Sequence, residues 1–252
     1  MKNTQIFFCG DNHGNFAHVV EAVRRYRPAA IVFLGDLQPL RPLEQELQKI
    51  LDLTEIWWIH GNHDTDSQAD HDNLFLSALA DRSLHGRVME IAGVRIAGLG
   101  GVFRSEIWYP PDSAKFDTYG DYLAAQAWRQ APKSRTAQKR ERQEYDDEQT
   151  LEQSRRRTHL SSIFPDVYYR LAVEAADILV THEAPSAHLD GFNAIDELAT
   201  ALGVHVAFHG HHHDQFDYTS HCTHLGFEVY GVGLCGITDQ AGRIIVAAES
   251  TN

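Results

Sequence analysis

The sequence predicts an α/β fold of the α+β sandwich type, in which two mixed β-sheets pack face to face and helices flank them. Short apolar runs bounded by glycine and polar residues are typical of buried parallel strands, and helical periodicity separates several of these runs. Short alternating runs late in the chain indicate antiparallel strands. Because 252 residues can bury a substantial core, we expect a single domain over residues 1–252 with one helical insertion.

Strand and helix patterns alternate through the first part of the chain. In the first predicted helix, Phe16, Val19 and Val23 recur at helical spacing, and Pro28 ends the helix. Further on, an alanine–glycine pair between two apolar runs indicates a hairpin. The predicted elements, in order, are strand 5–9, helix 16–26, strand 30–34, helix 40–51, strand 55–59, helix 74–79, and strands 88–91 and 94–99.

The later part of the chain repeats this alternation. The apolar runs DILV and VHVAF each follow a segment with helical periodicity, so each is predicted to be a buried strand. Two short alternating runs then follow between glycine-rich turns, which predicts antiparallel strands. The elements predicted here are helix 167–176, strand 177–180, helix 192–202, strand 204–208, and strands 228–232 and 243–247.

Residues 104–165 fit neither pattern and are predicted to form a helical insertion. Residues 133–157 are rich in glutamine, glutamate, lysine and arginine, which favour helices. Few apolar residues occur there, so a solvated helical excursion or a partly disordered loop is one interpretation. The other is a cap over a site, because the insertion leaves the core at the turn 98–101, where a predicted strand ends. Residues 129–157 carry nine basic and six acidic residues in a chain of net charge −13.

Composition predicts an ordinary globular protein, with 43% hydrophobic and 23% charged residues. No apolar run approaches the ~20 residues that span a bilayer, so we expect no membrane partner. The first predicted strand is too short for a signal-peptide core. The three cysteines, Cys9, Cys222 and Cys235, give no disulfide framework, which favours a cytoplasmic location. The net negative charge argues against a general nucleic-acid binder.

Five polar motifs follow directly after apolar runs. In open α/β sheets, ligands gather at the carboxyl ends of the strands, so side chains far apart in sequence are predicted to meet at one edge. The motifs supply carboxylates, imidazoles and an amide, which together suit divalent metal ions. They are Asp11-Asn12-His13, Gly35-Asp36, Gly61-Asn62-His63-Asp64, Thr181-His182 and Gly210-His211-His212-His213.

In this order and spacing, the motifs resemble the calcineurin-like, or binuclear, metallophosphoesterase superfamily, from residue 5 to about residue 213 apart from the insertion. Taken singly, each motif has an ordinary structural interpretation, since an aspartate after glycine is a common turn residue. The resemblance implies seven metal ligands. Asp11, His13 and His213 would bind the first metal, Asn62, His182 and His211 the second, and Asp36 would bridge the two.

The resemblance also implies catalytic roles and cofactors. A hydroxide that bridges the two metals would attack phosphorus, and His63 would donate a proton to the leaving group. Asp64 would orient His63 and keep it charged. An imidazole held by Asp64 for structural reasons is the alternative. Oxygen and nitrogen ligands without thiolate suit two divalent transition metals, Mn²⁺ first and Fe or Zn²⁺ as alternatives.

The substrate is expected to be a phosphomonoester or phosphodiester of a small molecule or nucleotide. Protein phosphatases of this superfamily continue Gly-Asp with Asp-Arg-Gly and carry Gly-Asn-His-Glu, whereas here Leu37-Gln38 follows Asp36 and Asp64 replaces the glutamate. Basic side chains of the insertion are candidate ligands of the substrate phosphate, although they could form only a solvated basic run. They are Arg104, Arg155, Arg156 and Arg157.

Two other functions stay open. In a single-strand nuclease, the basic insertion would grip the nucleic-acid backbone, and affinity would fall strongly with salt. A scaffold without catalysis is the second alternative, because folds can keep their shape while their function changes. The complete ligand set argues against the scaffold. The sequence does not determine an oligomeric state.

Overall fold

The computed structural model describes residues 4–129 and 141–249. Two five-stranded sheets lie face to face, and the apolar layer between them contains side chains from both sheets. Phe8 of one sheet and Phe208 of the other stack with ring centroids 3.8 Å apart. Helices cover the outer faces of the sheets, so the predicted sandwich is confirmed.

The first sheet contains the amino-terminal strands and the last two strands of the chain. Its central strands β1, β2 and β3 are parallel, and β9 pairs antiparallel with both β1 and β10. Strand β9, which has only three residues, was not predicted from the sequence. The spatial order is β10 (Ile244–Val246), β9 (Ile237–Asp239), β1 (Ile6–Cys9), β2 (Ala30–Leu34) and β3 (Glu55–Ile59).

The second sheet begins with the predicted hairpin, in which β4 and β5 are antiparallel. The next three strands are parallel to β5. Strand β8 was predicted to be antiparallel, and this prediction is wrong because α8 (Cys222–Leu225) and its flanking turns return the chain to the same end of the sheet. The order is β4 (Arg87–Ile91), β5 (Val94–Leu99), β6 (Ile178–Thr181), β7 (Val206–His209) and β8 (Glu228–Gly231).

Two predicted helices differ from the observed ones. The amphipathic segment 40–51 contains one short helix, which begins after Pro42 and ends in turns. The helix predicted at 74–79 starts earlier, because Ser67 and Asp70 form a capping box at its amino end. These two helices are α2 (Leu43–Glu46) and α3 (Gln68–Phe75), and the others besides α8 are α1 (Ala17–Tyr26), α4 (Tyr119–Arg129), α5 (Glu141–Thr158), α6 (Pro165–Leu171) and α7 (Asn193–Leu202).

The central strands are buried on both faces, which explains their continuous apolar runs. In β1, Ile6 and Phe8 face the layer between the sheets. Phe7 and Cys9 face the opposite way and pack against α1, as the alternation of side chains along a strand requires. Burial on both faces leaves the strand ends as the places where polar side chains can gather.

The insertion begins inside the core and not in solvent. Ile107, Trp108 and Tyr122 are buried in the cluster under α6 and α7, so the interpretation of a solvated excursion is wrong for this part. The later part of the insertion contains α5, and the last turn of α5 continues into the 3₁₀ turn His159–Ser161. Residues 133–140 of the charged stretch lie outside the described residues. Within the described ranges, no helix is both long and apolar enough to span a membrane.

Candidate metal centre

The seven predicted ligands lie together at the carboxyl ends of five strands. Each ligand is in the loop that directly follows β1, β2, β3, β6 or β7. These strands are parallel within each sheet, so their loops emerge at one edge of the sandwich. The side chains form two groups of donor atoms, and both groups include Asp36.

The first group contains His13, Asp36 and His213, whose ligand atoms all lie within 4.8 Å of one another. The Nε2 atoms of His13 and His213 are 3.0 Å apart. Asp11 joins this group, since its Oδ2 lies 3.6 Å from Nε2 of His213. Donors at these separations can surround one metal ion, with metal–donor distances of about 2 Å.

The second group contains Asp36, His182 and His211, again with ligand atoms within 4.8 Å of one another. Nε2 of His182 lies 3.1 Å from Oδ1 of Asn62 and 3.4 Å from Oδ2 of Asp36. Asn62 therefore belongs to this group. Because Asp36 is common to both groups, its carboxylate is placed where a bridging ligand of two metals would be.

The buried carboxylate of Asp11 shows that the residues fit a bound cation. Asp11 is fully buried, and its Oδ1 atom has no hydrogen-bond partner. A buried carboxylate oxygen without a partner is costly unless a cation or donor reaches it. Burial raises the pKa of Asp11 most, the charge of His182 lowers it and that of Asp36 raises it, and the net result is a pKa of about 7. A divalent ion at this position would supply the missing positive charge.

Close backbone packing makes room for this cluster. A side chain at Gly61 would collide with Oδ1 and the backbone nitrogen of Asp36 and with the ring of His182. The backbone also takes unusual conformations at the ligands, with φ of 42° at His13, 48° at Asp36, 73° at His211 and 59° at His213. Non-glycine residues adopt such values where the surrounding structure enforces them, often at functional sites.

Hydrogen bonds orient two of the imidazoles toward the centre. Nδ1 of His182 lies 2.8 Å from the carbonyl oxygen of Leu34, and Nδ1 of His13 lies 2.6 Å from Oε1 of Gln38. In each case Nδ1 donates, which leaves Nε2 as the free lone pair that a metal needs. Gln38 thus contacts a predicted ligand, and this contact was not predicted from the sequence. Its position in the sequence could have indicated the contact, because Gln38 lies two residues after Asp36 in the same loop.

Asp36 and His182 are both buried and lie close together, with Oδ2 of Asp36 3.4 Å from Nε2 of His182. Burial alone would raise the pKa of Asp36, but the charge and hydrogen bond of His182 hold it below its ordinary value. Burial alone would lower the pKa of His182, but Asp36 and Asp11 raise it to about 10. A metal at this group would replace the proton on His182 as the positive partner of the carboxylates.

His63 lies beside the ligands, in the 3₁₀ turn His63–Thr65 that follows Asn62. Its side chain is 46% exposed, and its Nδ1 lies 2.6 Å from Oδ2 of Asp66. The contact predicted with Asp64 is therefore wrong, and Asp66 takes its place. Burial alone lowers the pKa of His63, but the hydrogen bond that Nδ1 donates to Asp66 and the charge of Asp36 raise it above the ordinary value.

Asp64 has a different environment from the predicted one. It is fully buried, with Oδ1 accepting the backbone N–H of Gln38 and Oδ2 accepting that of Gly61, each at 2.8 Å. These bonds tie the loop after β2 to the loop after β3. Asp64 therefore supports the geometry of Asp36 and Asn62 and does not contact the ring of His63.

The four predicted phosphate-binding arginines differ in what their guanidinium groups contact. Arg104 donates to the carbonyl of Ser161 and the hydroxyl of Ser162. Arg156 pairs with Glu152 in its own helix. Arg157 donates to the backbone carbonyls of Thr65 and Asp66, and Arg155 is exposed. Three of the four guanidinium groups are thus bonded to protein atoms.

A further group of possible donors lies next to the ligand motif. His188, Asp190 and His212 have ligand atoms within 4.8 Å of one another. The rings of His188 and His212 are stacked, with centroids 3.8 Å apart and planes inclined by 21°. Their lone pairs therefore lie in nearly parallel planes and do not converge on one ion. We assign no metal to this group.

Comparison with known proteins agrees with the geometry. A family model described as calcineurin-like phosphoesterase matches residues 4–215. An uncharacterized protein of Haemophilus influenzae is 36% identical over 245 residues, which cover 96% of this chain and 96% of that protein. The crystal structure of TT1561 of Thermus thermophilus has the same fold, with a TM-score of 0.54 and 12% identity over 97% of this chain and 98% of that one. The chain belongs to the calcineurin-like phosphoesterase family.

Proposed function

We propose that the protein hydrolyses a phosphomonoester or phosphodiester of a small molecule or nucleotide with two divalent metal ions. The observation that carries this proposal is the pair of donor groups that share Asp36. Two metals held on either side of one carboxylate suit an in-line displacement at phosphorus. The family match supports the reaction class.

The ligand chemistry supports the choice of metal within this proposal. All seven proposed ligands offer oxygen or imidazole nitrogen, and none offers thiolate. Such a set suits Mn²⁺ first, with Fe or Zn²⁺ as alternatives. When bound, two such ions would activate water as the nucleophile and neutralise the charge that develops on the phosphoryl oxygens.

His63 is the proposed proton donor to the leaving oxygen. Its ring lies beside the first group, with a centroid 5.7 Å from that of His13. Its side chain is 46% exposed and can reach a bound substrate. The Asp66 carboxylate accepts a hydrogen bond from Nδ1, which leaves Nε2 to donate when the ring is protonated.

We also propose that the insertion 104–165 acts as a cap that selects the organic part of the substrate. A cavity of about 910 Å³ lies between the start of the insertion, α6 and the loop after β6, and Tyr109, Tyr169 and Phe192 line it. None of the seven proposed ligands lines this cavity. His188 also lines it and stacks on His212, the residue between two proposed ligands.

The described part of the structure gives little support to the nuclease alternative. The guanidinium groups of Arg104, Arg156 and Arg157 are bonded to protein atoms, so they do not form an open basic surface. A net charge of −13 also disfavours a polyanionic partner.

A cytoplasmic location is part of the proposal, because the three cysteines are free, as is usual in reducing compartments.

A metal-reconstitution assay tests the proposal. The protein would be stripped by a chelator, reloaded with Mn²⁺, Fe²⁺ or Zn²⁺, and assayed on phosphomonoesters, linear and cyclic diesters, and single-stranded DNA and RNA. We expect turnover of a small ester that depends on added metal and is insensitive to moderate salt. Asp36→Asn is the control, since it keeps the size of the side chain and removes the shared charge. Full activity after exhaustive chelation would refute the proposal.

A further inference from the structure

The carboxyl end of α5 contacts the turn that carries His63. We call residues 62–66 the His63 turn. Nε of Arg157 lies 3.2 Å from the carbonyl oxygen of Thr65, and Nη2 lies 3.1 Å from the carbonyl oxygen of Asp66. One guanidinium group therefore bonds two consecutive carbonyls of the turn. The two donors come from a planar, rigid group, so they fix an orientation as well as a distance.

A second contact from the insertion lies beside the first. The hydroxyl of Ser161 is 2.8 Å from that of Thr65 and 3.4 Å from the carbonyl oxygen of Asn62. Thr65 and Ser161 are both buried. The insertion thus holds the His63 turn at its start, through Asn62, and at its end, through Thr65 and Asp66.

Other bonds hold the first residues of the turn, since the backbone N–H of His63 donates to Oδ1 of Asp36 and the Asp64 carboxylate accepts two backbone N–H groups. Arg157 is the side chain that bonds the carbonyl of Asp66 itself. The 3₁₀ helix of the turn has only three residues, and such short helices leave their last carbonyls without partners inside the helix. The side chains of His63 and Asp66 are 46% and 55% exposed, so packing does not hold them. The backbone of Asp66 is held directly by Arg157, and the Asp66 carboxylate in turn contacts Nδ1 of His63.

We propose that Arg157 is a positioning residue that holds the His63 turn, and through Asp66 the His63 ring, in the orientation required for proton donation to the leaving group. The proposal rests on the proposed function, because it assigns Arg157 to the same reaction. It replaces the sequence-based interpretation of Arg157 as a phosphate ligand. It also gives the insertion a direct link to catalysis, since Arg157 belongs to the insertion and His63 to the core fold.

The first experiment measures how Arg157→Ala changes turnover of two kinds of substrate by the metal-loaded protein. We expect kcat on phenyl phosphate, whose leaving oxygen needs a proton, to fall about 10- to 100-fold, within the range that general-acid groups contribute. On p-nitrophenyl phosphate, whose leaving group departs as a stable anion, the fall should be less than about 3-fold, and KM should change little. A loss of equal size on both substrates would overturn the proposal.

Two variants provide matched controls. Gln153→Ala changes an exposed side chain four positions away in the same helix, so it should leave both rates unchanged. Arg157→Lys keeps the charge but loses the planar pair of donors, so it should recover only part of the lost rate. It also provides a second variant if Arg157→Ala folds poorly. If Arg157→Ala and Arg157→Lys both retain full activity on phenyl phosphate, Arg157 has no positioning role.

A double mutant separates positioning from other effects. If Arg157 acts through His63, Arg157→Ala should cause no further loss in a His63→Ala background, because residues that act as a unit are not additive. An independent loss in that background would overturn the proposal.

Amide hydrogen exchange of residues 61–66 in the metal-loaded protein gives a measurement that does not depend on turnover. Arg157→Ala should speed exchange there about 10-fold, while Gln153→Ala should not. If the parent protein hydrolyses no ester but this difference is found, the proposed function fails and the structural link stands. Unchanged exchange would refute the link itself.

Discussion

His63 pairs with Asp66 and not with the adjacent Asp64, with 2.6 Å between Nδ1 and Oδ2. Asp64 instead lies fully buried beneath the turn and accepts two backbone N–H groups. Two carboxylates of one short segment therefore have separate tasks. Asp66 orients an exposed imidazole, and Asp64 holds together two loops that carry proposed metal ligands. Their different environments allow the two tasks to be tested separately.

Asp66→Asn should lower catalysis without changing stability. The variant keeps a hydrogen-bond acceptor near His63 but removes the negative charge that favours the protonated imidazole. We expect kcat on phenyl phosphate to fall about 10-fold or more, with a smaller change on p-nitrophenyl phosphate. Metal content and melting temperature should match those of the parent. A variant that loses metal would show that this turn supports a ligand and not the proton donor.

Asp64→Asn should instead destabilise the protein. The amide group can replace only one of the two carboxylate oxygens, so either the N–H of Gln38 or that of Gly61 loses its acceptor. A buried donor without a partner costs about 1–3 kcal/mol. Urea denaturation should show a loss of that size, together with weaker metal binding. Wild-type stability in this variant would mean that Asp64 does not connect the two loops.

Gln38→Leu should weaken binding of the first metal. The substitution removes the acceptor 2.6 Å from Nδ1 of His13, so the imidazole loses its preferred tautomer and orientation. Removing such a hydrogen bond typically costs 10- to 100-fold in metal affinity. Titration of the stripped protein should show one site weakened and the other near its parent affinity. Equal weakening of both sites would indicate a general distortion of the loop.

Stability should fall as the pH is lowered from about 6.5 toward 4, in part because of His85. Burial lowers the pKa of His85 from 6.5 to about 4. Between these values the unfolded chain binds the proton and the folded protein does not, so acid favours unfolding. The full difference in the pKa of His85 between the two states corresponds to about 3 kcal/mol of unfolding free energy. In the folded protein, the backbone N–H of Gly100 donates to Nδ1 of His85, which requires Nδ1 to be unprotonated.

The contribution of His85 can be isolated by comparing variants. His85→Asn keeps an acceptor for Gly100 and cannot be protonated, so its unfolding free energy should depend less steeply on pH over this range. His224→Asn is the control, since His224 is exposed and should leave the slope unchanged. Denaturation by urea at several pH values measures the slopes. An unchanged slope in His85→Asn would contradict the prediction.

Most of the fold, and the meeting of the five polar motifs at one edge, could be predicted from the sequence for physical reasons. Strands buried on both faces require continuous apolar runs, and residues such as Ile31 and Val32 supply them. Parallel strands then bring their following loops to one edge, which places Asp36 near His182. These consequences follow from the alternation of side chains along each strand and from the common direction of parallel strands.

Other features depended on geometry that no local pattern encodes. The partner of His63 is decided by the tight turn, which directs Asp64 inward and Asp66 toward the ring. The contact of Gln38 with His13 joins the loop after β2 to the loop after β1, and both residues have positive φ. The start of the insertion was not recognised as core because Ile107 and Trp108 are buried without any periodic apolar pattern around them.

Anomalous X-ray diffraction from crystals grown with Mn²⁺ would show directly whether Asp36 bridges two metal ions. We predict two peaks about 3.5–4 Å apart, one on each side of the Asp36 carboxylate. The ligands should be Asp11, His13 and His213 around one peak and Asn62, His182 and His211 around the other. A single peak, or two peaks that do not share Asp36, would contradict the proposed binuclear centre.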